Sequence, residues 1–285
     1  MINAARFHND GFLVVPGVLD AAQMATLRAR AEAIARDFDP GDDQPVFDPA
    51  SAKHAQDRWF LESGDEIRCF YESEALDEQG RRRVPAEQAV NKIGHALHDL
   101  DQDFARISRS PKLAAIAQAL GMRDPRLLQS MYIFKSPGIG GEVPWHQDAT
   151  FLYTDPITVL GLWIALDDAD RHNGCLWMVP GGHRQSLKQR FVRHGEGTRF
   201  ITLDDAPLDA RGAVLIEVEV GTLVAFPRKA PHRSDPNRSD RARHAYALHL
   251  IEADAFYPED NWLRRRPERP LRGFATEADS EETQS

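Results

Sequence analysis

Val159-Leu160-Gly161-Leu162-Trp163-Ile164-Ala165-Leu166 carries no charge and alternates strictly. In an extended chain successive side chains point to opposite faces, so Leu160, Leu162, Ile164 and Leu166 share one face and Val159, Gly161, Trp163 and Ala165 the other. The first face is wholly apolar and calls for a covering layer. The second sets small residues around one large ring. The run into His244–Ile251 repeats the pattern, with Arg243 sharing its face with Ala245 and Ala247. A side-chain-filled barrel carries Leu, Ile and Val on its inner face. Small residues there either line a cavity or admit a tightly packed neighbouring layer.

Outward from these runs, Leu127–Phe134, Cys175–Val179, Ala213–Val220 and Thr222–Phe226 also read as strands, separated by turn signals at Asn173-Gly174 and Gly181-Gly182. Towards the N-terminus, Phe12–Val15 predicts a short buried strand. A helix follows, with Asp20 as N-cap and Met24, Leu27, Ala31, Ile34 and Phe38 as its apolar stripe. A second helical region is expected from about Ala86 to Asp99. A third has Ser110 as N-cap, Pro111 in its first position and Gly121 beyond its end. Helices first and strands later predict an α+β chain: a mostly antiparallel jelly roll over about 126–255 with a helical cover over about 1–125 packed on one face. The Asp- and Pro-rich stretch Gly41–Arg58 is expected to be a loop. One domain is expected to span 1–274, and the acidic tail 275–285 to be disordered.

A chain of 285 residues with 42% apolar and 28% charged residues has the balance of a globular protein. Its formal charge of -9 argues against nucleic acid as a partner, because phosphate contacts need a basic face. No apolar run approaches the roughly 20 residues of a membrane-spanning helix, and Met1–Asp10 lacks a signal-peptide core. A cytoplasmic protein is expected. Cys69 and Cys175 are too few for a disulfide framework and read as buried free thiols.

His146-Gln147-Asp148 places two metal-ligand types two residues apart, on one face if the segment is a strand. Among eleven histidines, on the order of one His-x-Asp arises by chance, and one does: His8-Asn9-Asp10 is the same pattern in what reads as a surface turn. The third candidate ligand is His232, which precedes a turn-rich segment that would fold Arg243 back toward it. Two histidines and a carboxylate on one face of an octahedral iron leave three positions open, enough for a bidentate 2-oxo acid and dioxygen. The planar fork of Arg243 matches the distal carboxylate of 2-oxoglutarate, though alone it would pass for a solvated strand-end charge.

These residues resemble the phytanoyl-CoA dioxygenase superfamily. The resemblance rests on His146-Gln147-Asp148, on the run from Asn173-Gly174-Cys175-Leu176 to Pro180-Gly181-Gly182-His183-Arg184, and on His232-Arg233-Ser234 with Arg243 eleven residues after His232. Ser63-Gly64-Asp65, Asn91 to His98, Ser130 to Lys135 and Gly140 to Val143 are similar to one branch, the phytanoyl-CoA dioxygenase domain-containing protein 1 group. The resemblance covers roughly 12–262. It implies a double-stranded β-helix, an Fe(II) held by His146, Asp148 and His232, and 2-oxoglutarate surrounded by Lys92, Met131, Gln147, Trp163, Ser234 and Arg243. The implied reaction is hydroxylation of a small organic substrate with O2, releasing succinate and CO2. In related halogenases the corner taken here by Asp148 is open for halide, so the carboxylate favours hydroxylation. No basic cluster is assigned to a CoA phosphate, so an acyl-CoA substrate is not inferred; Phe151, Tyr153 and the Pro137–Pro144 segment are candidates to line the substrate pocket or to serve as plain core and connector. Two other classes remain open: a zinc-dependent hydrolase on the same triad, which gives Arg243 no role, and a non-catalytic 2-oxoglutarate- or metal-binding protein of the same fold.

Overall fold

The two faces of the decisive run separate two cores. In a computed structural model, which describes residues 2–40, 45–47 and 58–274, Leu160, Leu162, Ile164 and Leu166 pack into one cluster with the helical residues Leu27, Ala31, Phe104, Leu113 and Ile116. Trp163 and Ala165 lie in a second cluster with Cys175, Met178, Val224, Phe226, Ala245 and Ala247. The first core glues helices to the outside of a sheet; the second fills the space between two sheets. Each fully buried Leu of the outer face contributes roughly 1.5–3 kcal/mol relative to exposure.

In chain order the elements are α1 (Ala4–Asp10), β1 (Leu13–Val15), α2 (Ala21–Asp37), β2 (Val46–Phe47), α3 (Arg58–Leu61), β3 (Ile67–Glu72), α4 (Ala86–Ala89), β4 (Val90–His95), α5 (Leu97–Leu100), α6 (Gln102–Ser108) and α7 (Pro111–Ala119). Then come β5 (Pro125–Ile133), β6 (Val143–His146), β7 (Leu160–Ala165), β8 (Leu176–Met178), β9 (Gln189–His194), β10 (Gly197–Thr202), β11 (Val214–Ile216), β12 (Leu223–Pro227), β13 (His232–Ser234) and β14 (Ala245–Glu252). An eight-stranded sheet, ordered β1-β12-β7-β14-β5-β4-β3-β2, faces a four-stranded sheet ordered β11-β8-β13-β6. Every pairing is antiparallel except β2 with β3. This is the jelly-roll architecture of a double-stranded β-helix.

Local signals account for the helix ends. Asp20 caps α2 in a capping box with Gln23, and Leu27, Ala31 and Ala35 form its buried stripe. Ser110 caps α7, Pro111 opens it, and Gly121 follows at φ 101°, a left-handed value that suits glycine. Cys69 and Cys175 are buried free thiols. Among the described residues, no helix is long and apolar enough to cross a membrane. The expected tail 275–285 and most of the expected loop at 41–58 lie outside the described residues; within that loop, Val46–Phe47 pairs with β3.

One expected helix is corrected. The stretch from Ala86 to Asp99 forms a single turn, then strand β4, then α5. Ala89, Val90, Ile93 and Leu97 mimic a helical period. However, Val90 and Ile93 are β-branched, and Gly94 costs about 1 kcal/mol in a helix interior. Pairing with both β3 and β5 then decides for the strand.

Among the carboxylates that anchor the C-terminal segment, Asp99 gathers the most cations. Asp99, with a side chain 5% exposed, sits 2.5 Å from Arg109 and 2.8 Å from Arg272, contacts Arg265, and lies 3.2 Å from His98 Nε2. Burial alone would raise its pKa; His98 and the arginines override this and hold the carboxyl well below the usual range. Asp99→Asn leaves the guanidinium groups of Arg109 and Arg265, both largely buried, without their counter-charge and should cost about 3–5 kcal/mol in chemical denaturation. A depressed folded-state pKa contributes stability above the unfolded value of about 3.9 and loses it as pH falls further. The gap between native and variant should therefore be constant above about pH 5 and shrink progressively below pH 4. A gap unchanged down to about pH 2 would show that the carboxylate charge is not its source.

Candidate metal centre

β6 and β13 are neighbours in the smaller sheet, and their register sets His146 directly opposite His232. Cross-strand neighbours of this kind hold their Cβ atoms about 4.5–5.5 Å apart. The two imidazoles accordingly meet with ring centroids 4.1 Å apart. β6 ends at His146, and Asp148 opens a short 3-10 turn over Asp148–Thr150 rather than continuing the strand. The strand expectation is thus corrected at its last residue. The turn swings the Asp148 carboxylate to the imidazoles, with Oδ1 3.7 Å from His146 Nε2 and 3.6 Å from His232 Nε2. Ligand atoms of all three residues fall within 4.8 Å of one another, the one such grouping of His, Cys, Asp and Glu among the described residues.

The tautomers suit a metal. His146 Nδ1 lies 2.9 Å from Pro144 O and His232 Nδ1 lies 3.1 Å from Ala230 O. A backbone carbonyl only accepts, so each Nδ1 carries the proton and each Nε2 presents its lone pair. Burial, and then the neighbouring His232, push His146 down to about 4, which keeps it neutral at physiological pH. Burial would raise the Asp148 pKa, but His249 and His232 hold it well below the ordinary carboxylate range. Two lone pairs and one carboxylate therefore converge, the donor set of a facial iron site.

Asp148 is held from two further directions. His249 Nε2, on β14, stands 3.3 Å from Asp148 Oδ2, the carboxylate oxygen other than the Oδ1 that faces the two ligand histidines. A Cβ on Gly161 would come within 2.9 Å of Asp148 Oδ2 and 2.6 Å of the Phe226 ring, so glycine makes room for the carboxylate. His249 is absent from the sequence reading. It lies one step further along the face of Arg243, Ala245 and Ala247, and extending that alternation would have reached it.

The remaining expected site residues separate into two groups. Met131, Trp163 and Arg243 come together inside the barrel, and Lys92 lies on the neighbouring β4, paired with Ile133, with its Nζ near the rings of Phe60 and Phe70. Met131 pairs with Gly94 on one side and with Ala247 on the other, and Ala247 in turn pairs with Trp163. The Arg243 guanidinium lies 5.3 Å from the centre of the Trp163 ring. Arg243 is 2% exposed; its Nε donates to Gly174 O at 3.1 Å, while Nη1 is buried with no partner. Burial lowers its pKa to about 10, so it remains charged at neutral pH. Lys92 is buried on β4, its Nζ 5.4 Å from the Phe70 ring centre, and burial pushes it down to about 7. Ser234 is buried on β13, and its hydroxyl accepts from Lys135 Nζ at 2.8 Å.

Gln147 is placed differently. Its amide nitrogen donates to Ser186 O and Lys229 O at 3.1 and 3.0 Å, and its oxygen accepts from Lys188 N at 3.1 Å, so it clasps two loops. Phe151 lies beside the metal centre, 6.1 Å from His146 by ring centroids, whereas Tyr153 lies under Arg190. The rival His8-Asn9-Asp10 sits in α1, where Asp10 pairs with Arg6 at 3.2 Å. His8 lines a surface groove of about 350 Å³ that includes none of the triad.

A jelly roll that holds two histidines and a carboxylate at one end of its interior, with a buried arginine also inside, defines a class of metal-dependent barrel proteins. The chain belongs to the phytanoyl-CoA dioxygenase (PhyH) family, whose model matches residues 7–245. It is 43% identical over 278 residues to a Bos taurus protein named phytanoyl-CoA dioxygenase domain-containing protein 1, covering 93% of this chain and 95% of that one. It is 40% identical over 263 residues to an Arabidopsis thaliana protein named phytanoyl-CoA dioxygenase, covering 91% of each chain. Its fold is similar to that of the epimerase SnoN, solved in complex with Fe3+, alpha ketoglutarate and nogalamycin RO, at a TM-score of 0.63 and 21% identity, over 95% of this chain and 93% of that one.

Alanine at His146, Asp148 or His232 should abolish tight binding of Fe(II), read by equilibrium dialysis. His8→Ala and Asp10→Ala should leave it unchanged. Gly161→Ala should weaken it while the protein stays folded, because the new methyl group displaces the Asp148 carboxylate; native affinity in that variant would show that Asp148 does not need its observed position.

Proposed function

We propose that the chain is an Fe(II)- and 2-oxoglutarate-dependent dioxygenase that hydroxylates a small organic molecule with O2, releasing succinate and CO2. The observation that carries this reading is the unpartnered Nη1 of Arg243, a charged donor sealed in the barrel with no carboxylate bonded to it. A buried cation needs an anion, and the distal carboxylate of 2-oxoglutarate is planar, bidentate and of opposite charge. Ser234 adds a second hydrogen bond to that carboxylate, while Trp163, Met131 and Lys92 wall the cofactor. A zinc hydrolase would need no such cation.

Iron with 2-oxoglutarate supplies the oxidising power when bound, through oxidative decarboxylation of the 2-oxo acid. The chain's own residues do the rest. His146, Asp148 and His232 hold three positions on one side of the metal and leave the others open. His249 and Gly161 fix the carboxylate. Phe151, with Phe191 and the exposed Phe200 packed on it, offers an apolar surface to the substrate beside His146. The protein acts in the cytoplasm, and its substrate is a small molecule rather than nucleic acid.

Succinate formation by the Fe(II)-loaded protein, with O2 and a panel of candidate substrates, tests the reading. Neither a hydrolase nor a pure binder consumes 2-oxoglutarate. Arg243→Met should weaken 2-oxoglutarate binding by one to a few orders of magnitude, since each hydrogen bond to a charged group is worth about 1.5–3 kcal/mol and about 1.4 kcal/mol is tenfold. Pyruvate lacks the distal carboxylate, so its weak binding should change little. Equal losses for both acids would make Arg243 a structural residue.

A further inference from the structure

Lys135 ends the Ser130–Lys135 motif but is given no role in the sequence reading and none in the triad, yet its side chain is closely constrained. It is 3% exposed and is the one non-glycine among the described residues with a left-handed backbone, at φ 40°. Such a conformation costs about 1–3 kcal/mol for a residue with a Cβ and persists only where the surroundings impose it. Two glycines shape its channel. A Cβ on Gly140 would come within 2.7 Å of Lys135 Cγ, and one on Gly174 would run into Lys135 Cε. The aliphatic stem is thereby threaded to a defined end point, where Nζ donates to Gly141 O and to Ser234 Oγ, each at 2.8 Å.

The same residue also touches Arg243. Lys135 O accepts from Arg243 N at 3.3 Å and from Asn237 Nδ2 at 2.9 Å, and Gly174, which makes room for the lysine stem, offers its carbonyl to Arg243 Nε at 3.1 Å. Lys135 therefore fixes the start of the Arg243 segment through its backbone and the hydroxyl of Ser234 through its side chain. A serine hydroxyl has one hydrogen. Because Ser234 Oγ accepts from Lys135 Nζ, that hydrogen points elsewhere, and among the described residues Lys135 Nζ is the one side-chain partner found for Ser234 Oγ.

We propose that Lys135 is the positioning residue of the 2-oxo acid clamp: by donating to Ser234 Oγ it aims the Ser234 hydroxyl hydrogen at the distal carboxylate that Arg243 binds. This assignment rests on the proposed function. Burial, and then the neighbouring Arg243, push the Lys135 pKa well down against the fields of Glu72, Asp235 and Glu142, so its part in the clamp is the contact with Ser234 rather than a second charge. The site therefore favours a 2-oxo acid with a second carboxylate over a monocarboxylate for two reasons, a direct fork and an oriented hydroxyl.

The test is a double-mutant cycle read by calorimetric binding of 2-oxoglutarate and of pyruvate to anaerobic, Fe(II)-loaded full-length protein, with no turnover involved. Lys135→Met keeps an unbranched stem to fill the channel between Gly140 and Gly174 and removes the donor. Lys135→Met and Ser234→Ala should each weaken 2-oxoglutarate about tenfold, in line with about 1.4 kcal/mol for one oriented hydrogen bond. The double variant should be no worse than Ser234→Ala, and pyruvate should be unaffected throughout. Additive losses, equal losses for both acids, or native 2-oxoglutarate affinity in Lys135→Met would overturn the assignment. If Lys135→Met does not fold, Ser234→Ala alone decides: native affinity in that variant sinks the proposal, and a tenfold loss confined to 2-oxoglutarate supports it. Failure of the native protein to bind 2-oxoglutarate would instead overturn the proposed function, and this assignment with it.

Discussion

A guanidinium enclosed in a protein interior without a bonded carboxylate is the constraint around which this barrel is arranged. Removing such a charge from water costs several kcal/mol even after relaxation. Trp163 offers the face of its ring, and Gly174 O takes one N–H. These contacts offset part of the cost and leave Nη1 unsatisfied. Ala245, Ala247 and Ala165 put small side chains around Trp163 on the inner faces of β14 and β7, while the leucines on the opposite face of β7 supply stability by packing against the helices. The face that carries the site and the face that carries the main core thus belong to the same strands.

The metal end and the anion end share their supports. β13 carries the ligand His232 and, two residues on, Ser234. β14 carries His249, which holds Asp148, and leads back to Arg243. Gly141, which accepts from Lys135 Nζ, lies just before β6 and its ligand His146. A molecule with a metal-chelating 2-oxo acid at one end and a carboxylate at the other matches this bipartite arrangement, because both ends are built on the same two sheets.

Much of this was legible in the chain. Strict alternation along Val159–Leu166 and His244–Ile251 gave the inner and outer faces of two adjacent strands, because a period of two is a backbone property that tertiary context does not alter. The choice between two His-x-Asp motifs was legible from the third ligand, His232, and from the turn that folds Arg243 back toward it, although the rival motif, read as a surface turn, lies in helix α1. What resisted reading depended on partners far away in sequence. Val90–His95 has apolar residues at helical spacing and becomes a strand only because β3 and β5 flank it. His249 gains its role from Asp148, and Lys135 from Gly140, Gly174 and Ser234 together. Gln147, between two ligands and still extended, points to the opposite face and clasps Ser186 and Lys229, as the alternation that pairs His146 with Asp148 requires and contrary to its place in the family resemblance.

The central claim is that three protein ligands hold an iron with adjacent positions left open to a 2-oxo acid whose far end Arg243 receives. Anaerobic titration of the Fe(II)-loaded protein with 2-oxoglutarate, followed by visible absorption, tests it most directly, because chelation of a 2-oxo acid to Fe(II) produces a charge-transfer band that neither component shows alone. The account predicts a saturable band with 2-oxoglutarate and none with glutarate, which has the same two carboxylates but lacks the keto group. Fe(II) that binds stoichiometrically and gives no band with 2-oxoglutarate at any concentration would contradict it.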